Sequence, residues 1–404
     1  MKDKYPPALP GEETDEDDIK IDLKALAIRK RALTKRTVIA LLLIIAGVCV
    51  FIFSDNINLY GLRRLLNIFN SSQPTTDYAN PGSEITYDMV DENKFDYYNG
   101  NVAILSRNGL ELYNSHGDEL LKQDLNFQSP SMQSTHKYLL TFDRNGNNVK
   151  IFNSYMLVHD LTFNGEIITA KMNENGYFAV ASKEKNYKGV VTVYNSNFEK
   201  VYEWYSADRY ISDVDVSPDN KLLAVSVFDG TGGQVQTSVM TFSLHQPDPI
   251  GEVSGIDGLA FSIDFKKDKR LHILTDSALY VTDDYKKATK AFDFSNKYLT
   301  YFTIDDPNNT VMIIGRQLSD GVGTLVIADT SGKTVKSEEI TSTIKSVDAI
   351  GNSVAVLTND SVLMYNSLGA LKNTASAPSD AKKVKLTDGG GAILFRLDKV
   401  SFLK

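Results

Sequence analysis

The chain has 404 residues with 42% hydrophobic content, enough for one large all-β domain with appendages or for two ordinary domains. Its net charge of −8 excludes a nucleic-acid-binding surface, which needs Lys and Arg in excess on one face, and the only local excess lies within the first 36 residues. A single cysteine, Cys49, excludes an intramolecular disulfide and a Cys-based metal centre.

The N-terminal tail, residues 1–36, is read as cytoplasmic. Its acidic, Pro-led start, through GEETDEDD, is too poor in apolar residues to pack, so Met1 to Asp18 are expected to be disordered. Ile19, Leu23, Leu26 and Leu33 then fall at helical spacing. Thr37 to Phe53 form an unbroken apolar run at the short end of what crosses a bilayer. A long polar lead and the absence of a small-x-small cleavage site argue for an uncleaved signal anchor over a signal peptide. Lys24, Arg29, Lys30, Arg31, Lys35 and Arg36 precede the run and only Arg63 and Arg64 follow it, which predicts a cytoplasmic N-terminus and a single-pass topology. Residues 54–83 are expected to be an amphipathic juxtamembrane segment, NLYGLRRLLNIF, followed by a Ser/Thr/Pro/Gly linker.

From residue 84 onward the sequence repeats. VAILS, YLLTF, YFAVA, LLAVS, LHILT, VMIIG, SVAVL and AILFR begin at Val102, Tyr138, Tyr177, Leu222, Leu271, Val311, Ser353 and Ala392. The interval of about 36 to 49 residues is that of four-stranded propeller blades. A third strand follows most of them, as in GLELYNSHG, VVTVYNSNF, TLVIADTSG and SVLMYNSLG. The Asn-Ser-x-Gly endings are turn chemistry, supplied by residues that tolerate positive φ and bond their own backbone. VSPDNK, Val216 to Lys221, is the equivalent device between a first and a second strand, with Pro218 presetting φ.

VSPDNKLLAVS resembles the turn of WD40-like and TolB-like β-propeller repeats. The full layout resembles a family of membrane-anchored propellers of uncharacterised function from clostridia and related Gram-positive bacteria. With Trp204 the only tryptophan, no Trp-Asp pair closes a third strand, so the peptide-docking role of true WD40 blades is not carried over. The fold expected is all-β: residues 84–404 form an extracytoplasmic propeller of eight four-stranded blades, with seven as the alternative. The last blade has three strands of its own, KKVKLTD, AILFRL and VSFLK, and EITYDMV, Glu84 to Val90, is expected to supply the fourth, because an open sheet edge invites aggregation.

No motif predicts catalysis, a cofactor or a metal. DTSGKT, Asp329 to Thr334, has Ile327 where a phosphate loop needs its first glycine, and DRNGNNV, Asp143 to Val149, lacks the closing glutamate of a calcium loop. His116, His136, His159, His245 and His272 show no paired spacing. The chain is therefore read as a binding or scaffold module at the cell membrane, contacting an envelope protein or polymer; the alternative is an exported hydrolase or lyase acting on glycan or peptide. Long second-to-third strand loops predict the partner surface, with Lys183, Lys185, Tyr187, Lys188, Asp229, Gln234, Arg316 and Asp320 as its residues.

Overall fold

The computed structural model describes residues 85–88, 93–230, 235–317 and 321–403. The expectations for residues 1–83, together with Gln234 and Asp320, lie outside them. The described residues form eight antiparallel sheets of four strands each. We number the blades 1 to 8: Lys94–Asp124, Pro130–Thr162, Ile167–Ser206, Tyr210–Asp257, Ala260–Asp293, Tyr298–Ile340, Ile344–Ser376, and Lys383–Leu403 with Ile85–Thr86. Within blades 1 to 7 the strands pair in chain order, the first innermost and the fourth outermost. The inner strand of blade 1 packs beside that of blade 8, which closes the ring.

Second strands lie between neighbouring blades and are covered on both faces. Asn101–Leu105, Phe178–Ser182 and Leu271–Thr275 are buried along their whole length, so they read as continuous apolar runs rather than as alternation. The cores lie between blades: Ala179, Val191 and Val193 of blade 3 pack with Val214, Val216, Leu223 and Val225 of blade 4.

The turns follow one local rule. Asn114 Oδ1 accepts the N–H groups of His116 and Asp118, each at 2.9 Å, and Asn195 does the same for Asn197 at 2.9 Å and Glu199 at 3.0 Å. Asp329 plays this part in DTSGK, accepting from Ser331 at 2.9 Å and Lys333 at 3.1 Å. The fourth residue of each turn then takes positive φ: 85° at Gly117, 81° at Gly332 and 65° at Phe198. Phe198 is held there by stacking on His159, with ring centroids 4.7 Å apart. In VSPDNK, Ser217 Oγ accepts from Leu222 N at 2.9 Å and Asn220 sits at φ 61°.

The expected closure is present. Ile85 and Thr86 pair with Val400 and Lys399 on the third strand of blade 8. Of Glu84 to Val90, only these two residues form described strand. Tyr87 continues the contact, its N–H 3.0 Å from Asp398 O and its hydroxyl donating to Arg396 O. Around them Ile85, Tyr87, Ile393, Phe395 and Val400 share a core with Val102 and Ile104 of blade 1.

Candidate functional site

Each blade runs first-to-second and third-to-fourth turns on one face of the disc, the turn face. Second-to-third loops and blade-to-blade connections lie on the other, the loop face. Lys183, Lys185, Tyr187 and Lys188 occupy the loop of blade 3 between Phe178–Ser182 and Gly189–Tyr194, and Asp229 ends the second strand of blade 4. Arg316 is exposed just past Asn309–Gly315 in blade 6, so blade 5 separates it from the rest.

The blade 3 loop meets side chains that the sequence reading passed over. Tyr187 lies 4.8 Å from Tyr205, centroid to centroid, and Tyr205 donates to Glu203 Oε2 at 3.0 Å. Lys188 stands over the Tyr210 ring at 4.6 Å and donates to its hydroxyl at 3.1 Å, a cation–π contact. Phe228 stacks on Tyr210 with ring centroids 5.7 Å apart. Tyr187, Tyr205 and Tyr210 are 45%, 41% and 48% exposed, so blades 3 and 4 present three phenols at the loop face. Lys183 is engaged with Glu166. The missed signal was positional: Tyr205 and Tyr210 flank a blade connection, so they share a face with the second-to-third loops.

A second group lines the channel. An inner strand is a sheet edge, and its N–H groups need acceptors. Side chains of the preceding blade supply them. Asp213 and Asp215 in blade 4 accept from Ile263 N at 2.9 Å and Phe265 N at 2.6 Å, and Ser346 and Asp348 in blade 7 accept from Val384 N and Leu386 N, both at 2.8 Å. Asp96 of blade 1 receives Ser134 N at 3.2 Å, and Gln133 of blade 2 receives Met172 N at 2.9 Å. Lysines complete the ring: Lys171 pairs with Asp213 at 2.8 Å, and Lys385 with both Asp96 and Asp348 at 3.0 Å. Asp213 and Asp215 sit at alternate positions of ISDVDV, as Ser346 and Asp348 do of KSVDAI, and this is the sequence signal that marks them.

Burial, then the neighbouring Asp264 charge, pushes the Asp215 carboxyl well above its ordinary range. Asp264 is raised to about 6, chiefly by burial against the pull of Lys266. Lys266 itself is wholly buried. Its ammonium donates to Asp264 Oδ2 at 3.0 Å, Asp306 O at 2.9 Å, Asn309 O at 3.1 Å and Ile304 O, so it bolts blade 5 to the first turn of blade 6. His272 is a packed histidine spanning the same two blades, bonded to Thr310 Oγ1 at 2.9 Å and Thr330 O at 3.0 Å. Burial, with Lys266 nearby, lowers it to about 3 and keeps the ring neutral.

Among the described residues no three His, Cys, Asp or Glu side chains are placed to hold a metal ion together. Asp143 accepts the N–H groups of Gln128 at 2.8 Å and Ser129 at 2.7 Å, which accounts for it as a backbone cap.

Solved structures share the fold at low identity. The computationally designed Ika8 protein matches with a TM-score of 0.59 and 13% identity over 80% of this chain and 99% of its own. Sqt1 of Saccharomyces cerevisiae matches at 0.57 and 11%, over 81% and 100%. The C-terminal WD40 domain of Sif2 matches at 0.55 and 13%, over 79% and 98%. At these identities the likeness is one of architecture alone. No curated protein matches in sequence. Residues 75–401, which span all eight blades but for the last two residues of blade 8, match the profile of a family of unknown function, DUF5711, and the chain belongs to that family.

Proposed function

We propose that this protein is a membrane-anchored, extracytoplasmic binding or scaffold propeller that contacts an envelope protein or polymer through the loop face of blades 3 and 4. The observation that carries the reading is the cluster of Tyr187, Tyr205 and Tyr210 with Lys188 at that face. Exposed aromatic rings on a rigid scaffold supply contact area with little conformational entropy to lose, and their phenols add hydrogen bonds. The channel carboxylates favour binding over hydrolysis, because Asp213, Asp215 and Asp348 are already engaged by backbone N–H groups of the next blade. The chain enters Ile85, a fourth-strand residue, from the turn face, which leaves the loop face clear of that entry point.

The test is photo-crosslinking in cells from position 207, exposed in the connection between blades 3 and 4, followed by identification of what is captured. Tyr187→Ala with Tyr210→Ala, and separately reversal of Lys185 and Lys188 to Glu, are expected to abolish capture and leave the melting temperature unchanged. Arg316→Glu reports on blade 6 in the same assay. Capture that survives all three, and is lost on substitution of the turns at Asn114 and Asn366, places the surface on the opposite face and overturns the proposal.

A further inference from the structure

The inner strand of blade 8, Lys383–Leu386, sends Val384 and Leu386 into the core shared with blade 7. Alternation therefore puts Lys383 and Lys385 together on the other side, against blade 1. Their situations differ. Lys385 is clamped between Asp96 and Asp348, whose remaining oxygens are taken by Ser134 and by Leu386 N. Lys383 donates only to Phe95 O, at 3.2 Å. The other lysines of the inner wall, Lys171, Lys266 and Lys385, each hold a carboxylate within 3.0 Å. Among the described residues Lys383 has none at ion-pair distance. As the first residue of its strand it stands at the loop-face end of the channel.

We propose that Lys383 is a reactive amine at the channel mouth that condenses with an aldehyde-bearing ligand, the open-chain form of a reducing sugar being the simplest. Four charged groups face it. Burial and the cations Lys385 and Lys94 disfavour its ammonium, Asp96 and Asp348 favour it, and the balance lowers it to about 8. A lysine made a nucleophile by a neighbouring cation is an established device of amine chemistry. The neutral Nζ attacks the carbonyl carbon, and the nitrogen then loses its protons to solvent as the hydroxyl departs as water. Amine plus aldehyde gives imine plus water, with no redox step, and the Lys385 cation stabilises negative charge developing on the carbonyl oxygen.

The experiment incubates the full-length protein with glyceraldehyde and cyanoborohydride at pH 7.5 and maps the reduced adducts by peptide mass spectrometry. A lysine lowered to this degree carries a far larger free-amine fraction than an ordinary one, partly offset by weaker basicity, so Lys383 is expected to be trapped about tenfold faster than its exposed neighbour Lys382. The advantage disappears in urea, and it shrinks as the pH rises well past 8, where Lys383 gains no further free amine. In Lys385→Met, Asp96 and Asp348 lose their counter-charge and draw the proton back to Lys383, so trapping slows to the Lys382 rate while Trp204 fluorescence verifies that the blades remain folded. A wild-type Lys383 rate at or below that of Lys382 overturns the proposal and leaves this amine as a tie between blades 8 and 1.

Discussion

Replacing Lys266 with Met removes a buried cation while keeping most of the side-chain volume. The ammonium now satisfies one carboxylate and three carbonyls with no solvent contact. Losing one member of a buried pair costs about 3–5 kcal/mol, because the other charge stays behind desolvated. Each carbonyl stripped of its donor adds roughly 1 kcal/mol or more, incompletely additive since Asp264 relaxes by taking up a proton. The expected loss is about 4–6 kcal/mol, a large share of the ~5–15 kcal/mol that holds a folded domain. Urea denaturation of the full-length protein, followed by circular dichroism and by the single tryptophan Trp204 on blade 3, measures it. Both probes shift together if the ring melts as a unit; a circular dichroism shift alone means that blades 5 and 6 open first. An unfolding free energy within about 1 kcal/mol of wild type refutes the bolt, since the ammonium would then have to be solvated in the native state.

Further outcomes follow from the same contacts. Asp264, raised when folded, contributes stability fully below its unfolded value of 3.8 and loses it as pH rises through about 6. Asp215→Asn keeps an acceptor for Phe265 N and removes the charge that opposes Asp264, so its unfolding free energy from urea titration is expected to exceed wild type at pH 7.5 by about 1–2 kcal/mol and to match it near pH 4; a variant less stable than wild type at pH 7.5 contradicts this. Asn220→Gly is expected to melt within a degree or two of wild type, whereas Asn220→Val loses about 1–2 kcal/mol, because φ 61° suits glycine and strains a β-branched side chain. Ile85→Lys puts a charge into the closure core and should yield aggregates by light scattering, with blade 8 left partly unpaired.

The second strands were legible because blades cover them on both sides, which leaves apolar runs such as FAVAS and LHILT that no surface element carries. Outer strands were nearly silent: Leu371–Ser376 is exposed along most of its length, and LKNTAS shows no alternation to find. Blade number followed from edge physics applied to a three-stranded remainder, and Ile85 and Thr86 fill the gap as that argument required. The Lys266 cage and the Asp213 and Asp215 carboxylates join residues as much as 50 apart, a relation between neighbouring blades that local spacing does not encode. The loop-face tyrosines fall between these cases. Tyr187 belonged to a recognisable long loop, but Tyr205 and Tyr210 join it only once blades 3 and 4 are set side by side.

The tie between Tyr87 and Arg396 joins residues 309 apart, and it imposes an order on synthesis. Seven blades are complete before the chain reaches Lys383, yet Ile85 has no sheet to join until Val400 has been made. Throughout elongation the nascent chain therefore carries one orphan strand at its start and one uncovered inner edge, which is the period when a chaperone has most to do. A transcript cut short within blade 8 leaves seven sound blades and an arc that cannot shut. The strand around Val400 thus acts as a proof that the ring has been made, and a cell that degrades open rings removes copies lacking it without inspecting any functional surface.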